Sequence, residues 1–145
     1  MTNHPSIVVR QLILVGHRKN YHVPFHTGVN IIYGDSATGK SSILELINYL
    51  LGSSKFLYDE EIESSVKYAA LELDLNGDTY VIKRDIFVPT KLIEVYQSDF
   101  ESTRAVFPKK YAPNFSGDAG PDGYFSDFLL TALNLPILKV REAPA

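Results

Sequence analysis

The chain has 145 residues, of which 45% are hydrophobic, 12% aromatic and 21% charged. That composition belongs to one packed domain and excludes a disordered chain. It holds no cysteine, which removes disulfides and thiolate metal sites, and its net charge of −3 gives no support for a domain basic throughout.

The first apolar run, IVVRQLILV from Ile7 to Val15, has the length and β-branched content of a strand. Ahead of it Asn3, His4 and Pro5 interrupt any signal-peptide core, and no later run approaches a membrane span, so a cytoplasmic protein without a membrane partner is expected. A polar turn from Gly16 to Asn20 follows, then an extended piece from Tyr21 to Phe25 that Pro24 confines to an edge. Val29 to Tyr33 is apolar on both faces and reads as a buried central strand. After the segment Gly34 to Ser41, the residues Ile43, Leu44, Ile47, Leu50 and Leu51 recur at helical spacing, and Gly52 ends the helix.

Lys55 to Ser65 is a polar, acidic connection. Val66 to Leu75 alternates as a strand with Leu71, Leu73 and Leu75 on one face. Asn76-Gly77 is a hairpin signal, and Thr79 to Arg84 returns from it. Leu92 to Tyr96 extends the hairpin into an antiparallel meander. Ser98 to Gly123, with its prolines and glycines, reads as a long loop. Tyr124 to Leu133 reads as a helix stopped by Asn134 and Pro136, and Ile137 to Val140 as the start of another strand. The expected class is α/β, with the hairpin from Leu71 to Arg84 standing apart from the parallel part of the sheet.

The chemistry is concentrated in Gly34-Asp35-Ser36-Ala37-Thr38-Gly39-Lys40-Ser41, which fits G-x-x-x-x-G-K-[ST] at every fixed position. By composition the pattern arises by chance in well under about 1% of chains this long. A strand before it and an amphipathic helix after it supply the setting the motif needs. A loop that wraps phosphates turns its N–H groups inward, which requires Gly34 and Gly39. The helix N-terminus adds partial positive charge, and Lys40 a full charge at the β- and γ-phosphates. The Ser41 hydroxyl is placed to ligate Mg²⁺, and Ser42 to donate to an α-phosphate oxygen. Asp35 is expected to turn away from the phosphates. The competing reading is a glycine-rich helix cap with an incidental lysine.

Over Ile13 to Ser53, which contains GHRKNYHVPFHTGVNIIYGDSATGKSSILELINYLLGS, and in the hairpin AALELDLNGDTYVIKR, the chain resembles the N-terminal ATP-binding lobe of SMC-type ABC ATPases. These are P-loop NTPases of DNA repair and chromosome maintenance. The resemblance reaches from the first strand to Arg84 and touches Tyr124 to Val140 only weakly. It departs from the commoner GPNGSGKS loop at Asp35, Ser36, Ala37 and Thr38, as in a less characterised bacterial branch.

It implies a P-loop ABC-type half-head in which residues 1–145 form a single N-terminal lobe, a piece of a longer ATPase. ATP and Mg²⁺ would be its cofactors. Its partners would be the C-terminal lobe of the same ATPase, a second head in a dimer, and DNA through the full-length protein. ATP binding and hydrolysis would drive head dimerisation in a DNA-maintenance or anti-phage-defence process.

The water-activating machinery of that family has no counterpart here. Asp59-Glu60 lacks the apolar strand of a Walker B motif, no signature serine-glycine motif occurs, and Gln97 does not follow the lobe as the Q-loop glutamine does. No catalytic residue is assignable, and the chain alone is expected to have little ATPase activity.

Other residues carry two readings each. His17, Arg18, Lys19 and Asn20 are a solvated turn or, by the resemblance, lie near adenine and ribose, with Arg18 as a nucleotide contact. Arg84 reads as a surface strand-end residue, with a place near the nucleotide or partner lobe as the alternative. Lys109, Lys110, Arg104 and Tyr111 are a solvated loop or a small DNA-contacting cluster. His22 and His26 read as surface residues outside any metal site. Two further functions compete with the ATPase half: a non-catalytic nucleotide-sensing or assembly module, and a small P-loop kinase, which would continue with parallel βαβ units.

Overall fold

The computed structural model describes residues 6–25, 45–53, 64–113 and 119–135. They form a six-stranded sheet in the order β2-β1-β3-β4-β5-β6. Its strands are β1 (Ile7–Gly16), β2 (Asn20–Pro24), β3 (Val66–Leu75), β4 (Asp78–Arg84), β5 (Ile93–Tyr96) and β6 (Lys109–Tyr111). Each pairing between these neighbours is antiparallel. A helical segment over residues 45–50 (α1) and the helix Phe125–Ala132 (α2) add their apolar residues to the main core.

The sheet follows from its local sequence. Asn76 and Gly77 have φ of 51° and 89°, the two positive dihedrals that a tight hairpin turn demands, and they join β3 to β4. β3 is bonded to β1 along its length, Leu12 facing Leu71 and Ile13 facing Ala70, so the hairpin is continuous with the first strand. β2 ends at Pro24 on the edge of the described sheet, as its missing N–H requires. The expected strand Val29 to Tyr33 and the possible strand from Ile137 lie outside the described residues.

Alternation sends Leu71, Leu73 and Leu75 into the main core with Leu12, Ile82, Ile93 and Val95. From α1 come Leu46, Tyr49 and Leu50, and from the second helical region Phe125 and Leu133. The buried helix face is wider than the expected one: Leu50 is buried and Ile47 and Leu51 are half-buried against the core as expected, while Leu46 and Tyr49 are buried beside them. A second, smaller cluster of Ile13, Ala70 and Val81 lies apart from the main core and is covered by Val15, Tyr96 and Phe100.

Two further corrections concern charged residues. Lys109 and Lys110 belong to β6, paired with Val95 and Glu94, rather than to a loop. A strand of three residues leaves too short a pattern to register against the surrounding prolines and glycines. Arg84, read as a surface residue, is 1% exposed.

Candidate functional site

Residues Gly34, Asp35, Ser36, Ala37, Thr38, Gly39, Lys40, Ser41 and Ser42 lie outside the described residues, as do Asp59-Glu60 and His26. What the structure gives is the frame on either side of them: the β1–β2 turn before and α1 after.

The far end of α1 is fixed by its own sequence and by Arg84. Gly52, at φ 115°, is the left-handed residue that closes the helix, with Gly52 N–H donating to Tyr49 O and Ser53 N–H to Asn48 O, both at 3.1 Å. These paired bonds use two of the carbonyls a helix end leaves open. Arg84 adds Nη1 bonds to Tyr49 O at 2.6 Å and Ser53 O at 2.7 Å, and an Nη2 bond to Pro89 O at 3.1 Å. A cation there also complements the negative end of the helix dipole. Burial pulls the guanidinium below its ordinary pKa, opposed by Tyr49. Burial raises the Tyr49 phenol, with Arg84 opposing and Asp85 reinforcing. The phenol donates to Asp85 O at 2.6 Å, so helix and strand end are tied at both sides of the same ring.

The near side of the frame is a cleft of about 480 Å³ lined by His17, Arg18, Lys19, Tyr21, Ser64 and Ser65. Its geometry follows from the close approach of β1 to the start of β3. A Cβ on Gly16 would run into the Lys19 carbonyl and stand 2.8 Å from the Ser65 carbonyl oxygen, so this position excludes every larger residue. Gly16 N–H bonds Lys19 O, and His17 N–H bonds Ser65 O, each at 3.1 Å. Lys19 Nζ sits 5.0 Å from the Tyr21 ring centroid. Among the described residues the lining holds two permanent cations, an imidazole, a phenol and two hydroxyls, and no carboxylate. That donor set suits an anion carrying an aromatic group.

Arg18 and Lys19 are thus brought together with three residues the sequence reading did not single out, Tyr21, Ser64 and Ser65. Tyr21 was detectable as an aromatic just past a basic turn. The two serines gave no signal, because only the pairing of Gly16 with Val66 brings them near. Gln97, Lys109 and Tyr111 line a different cleft, against α2. His22 is exposed and meets Gln11 Oε1 at 3.0 Å. Among the described residues no group of three or more histidines or acids is arranged to hold a metal ion. Nor, among them, is any helix long and apolar enough to cross a membrane.

A family model described as an AAA domain matches residues 12–109. The chain is 38% identical over 68 residues to a DNA double-strand break repair Rad50 ATPase of Thermoplasma acidophilum, covering 43% of the chain and 7% of that protein. It is 36% identical over 70 residues to the protein of the same description from Methanocaldococcus jannaschii, covering 46% of the chain and 7% of that protein. The match therefore spans only a small part of these relatives' length. No solved structure shows a significant match.

Proposed function

Because the chain belongs to the AAA domain family and its N-terminal region is homologous to Rad50-type, SMC-like ATPases, we propose that it is the ATP- and Mg²⁺-binding N-terminal half of such an ATPase. The observation that carries the reading is the complete phosphate-loop motif, Gly34 to Ser41, inside the matched region and, along the sequence, after the basic turn at Arg18 and before α1. In this reading the loop amides and Lys40 hold the phosphates, Ser42 donates to them, and the Ser41 hydroxyl ligates Mg²⁺. Arg18 and Tyr21 take the base and ribose, with Lys19 above the ring. Held by the Ser41 hydroxyl, Mg²⁺ would supply charge neutralisation to the phosphates.

No residue of the chain is assignable as the base that activates water, so hydrolysis requires a C-terminal lobe and a second head. Binding of ATP then closes two heads on each other and hydrolysis opens them, in a DNA-maintenance process. Against a metabolite kinase stands the sheet itself, in which β3 pairs antiparallel with both neighbours.

The test is sedimentation velocity of the chain joined to its C-terminal lobe, with Mg²⁺ and a non-hydrolysable ATP analogue. A nucleotide-dependent shift from monomer to dimer is expected, and Lys40→Ala should abolish it. A species that stays monomeric while binding the nucleotide would favour a sensing module instead.

A further inference from the structure

A second cleft, of about 400 Å³, opens between α2 and the β4–β5–β6 end of the sheet. That volume lies within the range of specific small-ligand or side-chain sites. Tyr80, Tyr111 and Phe128 line it, with ring centroids 5.3 Å apart for Tyr80 and Phe128 and 5.2 Å for Tyr111 and Phe128. Burial raises both phenols above their ordinary pKa, with Asp78 adding to the effect on Tyr80 and Asp122 to that on Tyr111. Both rings are therefore neutral near pH 7.

Two carboxylates share the lining, Asp122 beside β6 and Asp127 in the first turn of α2. Asp122 is held in place, because one of its carboxylate oxygens accepts the Lys110 N–H at 2.8 Å and its own N–H donates to Lys110 O at 3.1 Å. Lys109 is the single cation among the described lining residues. Phe107, also in the lining, is 97% exposed. Its ring is thus open to an incoming chain at the mouth of the cleft.

We propose that this cleft receives an arginine side chain presented by a protein partner. A guanidinium is the cation that uses both kinds of wall, since its plane stacks on aromatic rings while its fork donates to carboxylates. A bare ammonium meets the carboxylates only. Lys109, which would oppose a lone cation, is suited to the carbonyl oxygens of a peptide chain carrying the arginine. Phe107 gives that chain an apolar contact that a free polyamine has no use for. Among the described residues this cleft shares no lining with the one at Arg18, so the proposal does not depend on nucleotide binding.

The experiment is an NMR titration of the ¹⁵N-labelled chain with a blocked pentapeptide holding one arginine between alanines. Its citrulline counterpart and spermidine serve as the other arms. The arginine peptide should shift the amides of Phe107, Lys109, Asp127 and Thr131 and saturate on the order of millimolar, as suits one side chain. Asp127→Asn should weaken it by about tenfold or more, Asp127→Glu should bind like wild type, and Phe107→Ala should weaken the peptide while leaving any spermidine shifts unchanged. Both changed side chains reach solvent, so unperturbed amide spectra away from the cleft serve as the folding control. Equal binding of the citrulline peptide, equal binding by Asp127→Asn, or the absence of saturable shifts would overturn the proposal. Spermidine binding tighter than the peptide would make the cleft a free-polyamine site and overturn it as well.

Discussion

Arg84 and Tyr49 lie 35 positions apart in sequence, yet the Arg84 guanidinium stacks 3.8 Å from the centre of the Tyr49 ring and donates to the Tyr49 carbonyl. One residue ends β4, and the other sits in the last turn of α1, the helix that follows the phosphate-loop motif. The contact fixes the angle at which that helix meets the sheet.

Arg84→Ala should cost about 3–5 kcal/mol, because it takes the guanidinium N–H groups away from the Ser53 and Pro89 carbonyls, leaves Tyr49 O with the Gly52 N–H alone of its two named donors, and opens a cavity under α1. Arg84→Lys keeps the charge but cannot span three carbonyls, and about 1–3 kcal/mol should be lost. Urea denaturation of the three proteins gives the values. A loss below about 0.5 kcal/mol for alanine, the range of ordinary surface changes, would show that the contact does not hold the helix.

None of this was legible in the sequence, and the reason is physical. Arg84 stands at a strand end, where alternation and charge both point to solvent, and its two helix-end partners lie 31 and 35 residues earlier. The Asn76-Gly77 hairpin was legible because the dihedrals it needs are chemical properties of those two residues. Pro24 and Gly52 spoke in the same local way. Lys109 and Lys110 went unread as a strand because three residues carry no period. The cleft at Arg18 was half legible: the basic turn is contiguous, whereas Ser64 and Ser65 arrive only through the register of β1 with β3.

Gly52→Ala tests the helix end directly. Its Cβ would meet only ordinary contacts, the nearest being the Phe125 ring at 3.5 Å, so the cost is the left-handed backbone rather than a clash. About 1–2 kcal/mol of stability should be lost. A thermal melt that matched wild type would mean the helix end re-forms without the left-handed residue.

Asp85 should make stability fall in acid. Burial acts to raise its carboxyl, but N–H bonds from Val88 and Phe87 and the Lys91 ammonium outweigh it and hold the pKa below the ordinary value. A depressed folded pKa contributes stability that is present above the unfolded pKa of about 3.9 and is lost as pH falls through the folded value. Asp85→Asn, which keeps an oxygen for the two N–H groups but not the charge, should therefore be less stable than wild type by about 0.5–1 kcal/mol at pH 7. The two proteins should converge as pH falls through the folded value. Urea midpoints across that range check it, and a constant difference at all pH values would assign the effect to shape rather than charge.

The last prediction separates the two halves of the nucleotide frame by using two ligands, ATP and inorganic tripolyphosphate. Lys40 is the full positive charge that the motif directs at the β- and γ-phosphates, which both ligands possess. Lys40→Ala should thus weaken both, by about ten- to a hundredfold, the worth of one charge-assisted contact of roughly 1.5–3 kcal/mol. Tyr21 offers the cleft an aromatic ring, 42% exposed and already carrying Lys19 above it. Stacking of a base on such a ring is worth about 1–3 kcal/mol, so Tyr21→Ala should weaken ATP about tenfold and leave tripolyphosphate unchanged. Arg18→Ala should follow Tyr21→Ala if its guanidinium meets base or ribose, and Lys40→Ala if it meets phosphate. Ser41→Ala should mainly remove the Mg²⁺ dependence of binding. Calorimetric titrations supply the affinities, and circular dichroism melts confirm that each variant is folded. Equal ATP affinities for wild type and folded Lys40→Ala would reduce Gly34 to Ser41 to a helix-capping turn. An unchanged ATP affinity in Tyr21→Ala would move the base away from the β1–β2 cleft.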